Sequence, residues 1–232
     1  MRLRPVADDL WVAEMPLFFF GVALGTRMTV ARLPNGDLFL HSPIRLDEDL
    51  RAELDALGPV AVIAAPNRFH HLFAGEALAA YPQAALYGAP GLETKRKDLA
   101  FAAVLGEEPE ARWASVLCQH VLAGARKLSE VVFLHRPTRT LIVTDIVQSV
   151  GRGADSWSRA LLRLNGLHEG PTVSRITRLA IGDRAALRGS VEHLLGWDFD
   201  RLILAHGEIV EAGAKDVFAR VFGWLTGRAS AR

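Results

Sequence analysis

Three apolar runs in this chain each end in a residue able to hold a metal ion. Val60 to Ala65 leads through Pro66-Asn67-Arg68-Phe69 to the adjacent pair His70-His71. Leu141-Ile142-Val143-Thr144 delivers Asp145, and Leu202-Ile203-Leu204-Ala205 delivers His206 before Gly207. Short, wholly apolar runs bounded by polar residues are the pattern of strands covered on both faces. Buried strands that each stop at a ligand-type residue build a shared site at one edge of a sheet.

The surrounding pattern is mixed. Leu10 to Ala13 is a short apolar strand, and Met28 to Leu33 is rich in β-formers. Pro34-Asn35-Gly36-Asp37 is a hairpin turn and Leu38 to His41 the return strand. Asp47 to Leu57 places Leu50, Leu54 and Leu57 at helical spacing, and Gly58-Pro59 stops it. Leu72 to Tyr81 reads as a helix, Ala84 to Tyr87 as a strand and Leu92 to Leu105 as a helix. Val131 to His135 and Thr140 to Val143 read as a second hairpin. Helices are expected over Ser156 to Asn165, Arg184 to Leu195 and Ala214 to Leu225, and a strand over Arg201 to Ala205. Hairpins opening each half, then strands mixed with helices, indicate two packed sheets with helices outside. The Leu17-Phe18-Phe19-Phe20 run reads as a core strand; a pocket lining or a homodimer face is the alternative.

The chain of 232 residues is half hydrophobic and carries a net charge of +1. That balance suits a globular core and gives no reason to expect nucleic acid or a membrane as partner. Met15 to Gly25 is apolar but short of the roughly 20 residues a spanning helix needs. No signal-peptide pattern develops, so the cytoplasm is the expected location. The single cysteine, Cys118, cannot form an internal disulfide and reads as a small core residue.

Imidazole and carboxylate groups on a rigid frame suit zinc or iron. His70, His71, Asp145 and His206 are the candidate metal ligands, and His41, which also ends a strand, is a candidate supporting residue. Adjacent histidines point in different directions, so one of His70 and His71 is expected to ligate. Asp145 would act as ligand or as orienter of a bound water, whose pKa an open metal site lowers toward about 7. Each residue also has a structural reading: a hydrogen-bonded histidine, a carboxylate capping the next segment, a His-Gly turn. His135 and His193 are expected at the surface, His168 in a loop and His120 in an irregular stretch.

In order and content these features resemble the metallo-β-lactamase superfamily. That family has an N-terminal hairpin region, a strand leading into a histidine motif, an acid after a later strand and a final strand ending His-Gly. Its first motif reads His-x-His-x-Asp-His. Here the aligned residues are Pro66-Asn67-Arg68-Phe69-His70-His71, so the leading histidines are Pro66 and Arg68, and the acid is His70. The bridging acid matches Asp145 and the last histidine His206. A further family histidine falls near Gly124-Ala125, which supplies no ligand. The chain is similar, more closely, to a branch of that fold known only as a domain of unknown function. Thr26-Arg27-Met28-Thr29, His41-Ser42-Pro43, Pro66-Asn67 with His70-His71, and Phe199-Asp200-Arg201 running to His206-Gly207 carry that likeness.

The resemblance implies an α/β (α+β) fold, an αββα sandwich of two mixed sheets, over residues 1–226, followed by a frayed tail at 227–232. It implies one divalent transition metal, zinc or iron, or none. The expected activity is mononuclear metal-dependent hydrolysis of an ester, amide, thioester or phosphoester. The alternative is a metal-free descendant binding a small anionic ligand or a protein partner. Arg68 stands at a lost ligand position, where it would hold a substrate anion or pair with Asp145.

Overall fold

The computed structural model describes residues 2–151 and 153–227. The first half comprises β1 (Arg4–Ala7), β2 (Leu10–Met15), β3 (Phe18–Phe19), β4 (Val22–Ala23), β5 (Thr26–Arg32), β6 (Leu38–His41), α1 (Glu48–Leu57), β7 (Val60–Ala65), α2 (Ala74–Ala80), β8 (Ala85–Gly88), α3 (Leu92–Lys95) and β9 (Ala103–Val104). The second comprises β10 (Leu117–Val121), β11 (Val131–His135), β12 (Thr140–Val143), α4 (Ser156–Leu164), α5 (Arg175–Ala180), α6 (Arg184–Gly196), β13 (Arg201–Leu204), α7 (Ala214–Val221) and α8 (Gly223–Thr226).

Among the described residues, one sheet runs β1-β2-β5-β6-β7-β8-β9 and the other β10-β11-β12-β13, with β3-β4 a separate hairpin. Both sheets are mixed. Pairing is antiparallel from β1 to β6 and parallel from β6 to β9; β10-β11-β12 is antiparallel and β12-β13 parallel. Alternation along each strand assigns its faces. Val62 and Ala64 of β7 meet Phe133, Ile142 and Ile203 between the sheets, where Phe39 and Trp113 also pack. Ile63 and Ala65 face α1 and α2, and Leu141, Val143, Leu202 and Leu204 face α6 and α7. Helix, sheet, sheet, helix is therefore the layer order.

Local chemistry sets the boundaries. Asp47 caps α1 by accepting from the Leu50 N–H at 2.9 Å, and Asp155, Ser174 and Asp183 cap α4, α5 and α6 in the same way. Gly36 closes the β5–β6 turn at φ +89.

Several segments differ from the sequence expectation. Leu92 to Leu105 is helical for one turn only; Ala103 and Val104 pair with Tyr87 and Gly88 at the sheet edge. Edge pairing and the Phe101 ring over Gly88 override a modest helix propensity. Phe18, Phe19 and Phe20 are exposed, so this run is not a core strand. The last helix breaks at Phe222, and α2 begins at Ala74. His135 is buried because the 136–139 turn folds over it, with Nδ1 2.8 Å from Thr138 Oγ1. His120 lies in β10, which reads as irregular in sequence. Cys118 is partly buried against the outer-face core of the second sheet. The tail expected to fray lies, beyond Gly227, outside the described residues.

Candidate metal centre

Two parallel strand pairs, β6–β7 in one sheet and β12–β13 in the other, send their C-terminal ends to one edge of the sandwich. Side chains just past those ends meet there, as ligands do at the carboxyl ends of parallel strands. His70 follows β7, Asp145 follows β12 and His206 follows β13. Each offers one ligand atom, and the three atoms lie within 4.8 Å of one another. His70 Nε2 is 3.4 Å from Asp145 Oδ2, His206 Nε2 is 3.3 Å from Asp145 Oδ1, and the two Nε2 atoms are 3.1 Å apart.

The outer atom of each group is already engaged. His206 Nδ1 lies 2.7 Å from the Gly25 carbonyl, which can only accept, so Nδ1 carries the proton and Nε2 presents its lone pair inward. His70 Nδ1 bonds Ser42 Oγ at 2.7 Å. Ser42 holds φ +55, an uncommon conformation for a residue with a side chain. Asn67 Nδ2 donates to Asp145 Oδ2 at 2.7 Å and to Thr144 Oγ1 at 2.8 Å, tying the two sheets together. Its Oδ1 accepts from the Phe69 and His70 N–H groups at 2.8 and 2.7 Å, which sets the turn that delivers His70. Gln148 Nε2 donates to Asp145 Oδ1 at 2.8 Å.

Below the centre, Glu130 is wholly buried. It accepts from the backbone N–H of Thr144 at 2.7 Å, Asp145 at 2.8 Å and Ile146 at 2.9 Å. Burial and the nearby Asp145 charge push its carboxyl up to about 7, against the hydrogen bonds from Thr144 and Asp145. Burial also acts to raise the Asp145 carboxyl, but the imidazoles of His70 and His206 outweigh it and hold it well below the usual carboxylate range. Asp145 is thus an anion at neutral pH facing two imidazoles.

Other candidate residues stand apart. His71 is buried with its ring turned onto Arg96, whose Nη1 is 2.9 Å from Nδ1. Burial, then Lys95 and Arg96, lower its pKa to about 4. The adjacent histidines do diverge, and His70 is the one that joins the cluster. Arg68 is not beside Asp145: its guanidinium lies against Gly91, and its carbonyl accepts from Lys95 Nζ at 2.5 Å. The turn built on Asn67 directs His70 inward and carries Arg68 to the outer side. His41 sits under the cluster against the Phe133 ring, centroids 5.4 Å apart, with its Nε2 unpartnered. Its burial, then the neighbouring His70, lower its pKa to about 3.

Sequence reasoning gave no role to Arg27, Ser42, Asn67, Glu130 or Gln148. Three of them fall inside the stretches that carry the family likeness. Arg27 is buried and donates to the Leu204 carbonyl, to Gly207 O at 2.6 Å and to Glu14 Oε1 at 2.9 Å, which anchors the turn bearing His206. Gly207 makes that turn at φ +98, and a Cβ there would run into the Ser149 side chain and carbonyl. Gly207→Ala should therefore cost about 1–3 kcal/mol, read as a lower midpoint in chemical denaturation. A cavity of about 380 Å³ opens between the β3–β4 hairpin and the 205–208 turn, lined by Leu17, Leu24, Gly25, Arg27 and Gly207 but by none of His70, Asp145 and His206.

This architecture is the metallo-β-lactamase fold. Its structural relatives include a metallo-β-lactamase from Pontibacter korlensis (10% identity, 98% of this chain and 99% of that chain, TM-score 0.66). The mono-zinc form of the metallo-β-lactamase FIM-1 from Pseudomonas aeruginosa also matches (11% identity, 100% and 96%, TM-score 0.65). So does the metal-soaked Flv1 flavodiiron core from Synechocystis sp. PCC6803 (12% identity, 97% and 60%, TM-score 0.67). Within that fold the chain belongs to the domain-of-unknown-function family DUF4336, whose model matches residues 7–165. No curated protein sequence matches it.

Proposed function

We propose that the protein is a mononuclear metal-dependent hydrolase, with His70, Asp145 and His206 holding one divalent transition metal, zinc or iron. The observation that carries this reading is the convergence of two inward-facing Nε2 atoms and an ionised carboxylate, each fixed from behind by a second partner. Two imidazoles and one carboxylate form a three-residue donor set with room for water or substrate. Such a metal, when bound, polarises an acyl or phosphoryl oxygen and makes water nucleophilic near neutral pH.

The chain's own groups supply the rest. Asn67 and Gln148 each occupy one lone-pair direction of Asp145 and leave the others toward the imidazoles. Without a cation, the two Nε2 atoms at 3.1 Å must share a proton. His206 already carries its proton on Nδ1, so that shared proton belongs to His70, whose Nδ1 then accepts from Ser42. With a metal held there, the His70 proton would sit on Nδ1 and Ser42 would accept from it. The cavity, lined by Ala205 and Gly207 on either side of His206, would take the part of a substrate that lies away from the three ligands. Arg27 is committed to Glu14 and two carbonyls and leaves no free charge there.

The test is a panel of chromogenic carboxyl, thioester, amide and phosphate esters, assayed with chelator-treated and metal-replenished protein. At least one class should be hydrolysed only after replenishment. Asp145→Asn should lower that rate at least about hundredfold, the order seen when a metal site loses a ligand charge or a key partner. Equal rates with and without metal across the panel would sink the reading.

A further inference from the structure

Residues 16–25, Pro-Leu-Phe-Phe-Phe-Gly-Val-Ala-Leu-Gly, carry no polar side chain. They form the β3–β4 hairpin, whose backbone is paired internally: Phe18 with Ala23, Phe19 with Val22, and the Leu24 and Gly25 N–H groups donating to Leu17 O at 2.9 and 3.2 Å. The tip is Phe20-Gly21, with φ +48 and +79. A two-residue turn with both φ values positive favours Asn-Gly. Phenylalanine there is strained, and burial does not compensate, because Phe20 is 93% exposed.

Two helices extend this face. The Ala23 N–H donates to Ser158 Oγ at 2.8 Å, and Leu162 packs with Val22 and Leu24, so α4 lies on the hairpin by one face. Away from that contact it exposes Trp157 and Leu164, seven residues apart along the helix. Next along the chain, α5 is tied to α4 by Asn165, which accepts from the Arg175 N–H at 2.8 Å and the Ile176 N–H at 3.0 Å. It exposes Ile176 and Leu179. These three neighbouring elements hold seven of the ten large hydrophobic side chains exposed among the described residues, so the exposure is concentrated rather than scattered.

The charge inside these elements has one sign, and the acids Asp155, which caps α4, and Glu169 lie at their edges. The hairpin has no charge, α4 carries Arg159 and Arg163, and α5 carries Arg175 and Arg178, with no acid inside either helix. Glu169 in the loop between them pairs weakly with Arg159 at 3.4 Å and Arg163 at 4.0 Å. A second copy presenting the same face would set these arginines against themselves. An anionic lipid interface accepts them, and the hairpin tip has no polar side chain to keep it out of lipid.

The geometry points to peripheral attachment to an anionic lipid bilayer, with the β3–β4 tip inserted and α4 and α5 at the headgroups. No helix among the described residues is long and apolar enough to cross a membrane, so the attachment is to one face. The sequence expectation of no membrane rests on net charge and run length, and neither registers a patch assembled from three segments.

Flotation of the full chain with phosphatidylcholine vesicles, with and without phosphatidylglycerol, tests this. The protein should float with the anionic vesicles, at least about tenfold less with phosphatidylcholine alone, and less as salt rises. Phe20→Asn fits the turn better than phenylalanine, so it should melt no lower than wild type while binding anionic vesicles about tenfold more weakly. Trp157→Ser should act in the same direction. Absence of flotation overturns the proposal, as does equal binding by folded Phe20→Asn. A dimer that forms without lipid, dissociates in Phe20→Asn and does not float also overturns it and assigns the face to a second copy.

Discussion

Between pH 7 and pH 5 the metal-free protein should lose roughly 3 kcal/mol of unfolding free energy. His41, His71 and His135 are buried, and their folded pKa values are lowered from 6.5 to about 3, 4 and 4. Burial is the leading cause in each. In that pH range the unfolded chain takes up protons that the folded chain refuses. The stability these neutral histidines contribute is present above about pH 6.5 and is lost as the pH falls toward their folded values. Glu130 acts oppositely: its folded value near 7 exceeds the unfolded 4.5, so its share grows as the pH falls through that window. Three histidines against one carboxyl leave a net uptake of about two protons on unfolding. Denaturant titration at half-unit pH steps should show stability falling toward pH 5, and His135→Gln should flatten the slope by about one proton. A flat or rising profile would contradict the burial of these rings.

Glu130→Leu should destabilise the fold by about 3–6 kcal/mol, because it removes the acceptor of three buried backbone N–H groups at 2.7–2.9 Å. Each stranded donor costs about 1–3 kcal/mol. Glu130→Gln keeps one acceptor oxygen and should lose about half as much. The same change loosens the turn that presents Asp145, so Glu130→Gln should also weaken metal binding by about tenfold or more. Denaturation and metal titration on the two variants read both effects. A loss within about 1 kcal/mol in Glu130→Leu would show that the 144–146 turn does not depend on this carboxylate.

The fold and part of the site were legible for a simple reason. Strands β7, β12 and β13 are buried on both faces, so their sequences read as unbroken apolar runs, and the polar residue closing each run stands out. His70, Asp145 and His206 were visible that way. The choice between His70 and His71 was not, because it depends on the Asn67 turn, whose acceptor role has no periodic signature. Arg68 drew notice for the ligand position it occupies, yet the same turn sends it to Gly91. Glu130 precedes an apolar strand and reads as an ordinary surface acid; only the bend at 144–146, fourteen residues on, gives it a role. The Phe18 to Phe20 run looks like core in one dimension. Its exposure comes from a hairpin that pairs with itself and joins neither large sheet.

Titrating zinc or ferrous iron into chelator-treated protein measures the central claim directly. Binding should saturate at one metal per chain. His70→Ala, Asp145→Ala and His206→Ala should each weaken binding at least about tenfold, while His71→Gln and His193→Ala should bind as wild type does. Two metals per chain at full occupancy, no saturable binding, or a His206→Ala curve matching that of His193→Ala would contradict it.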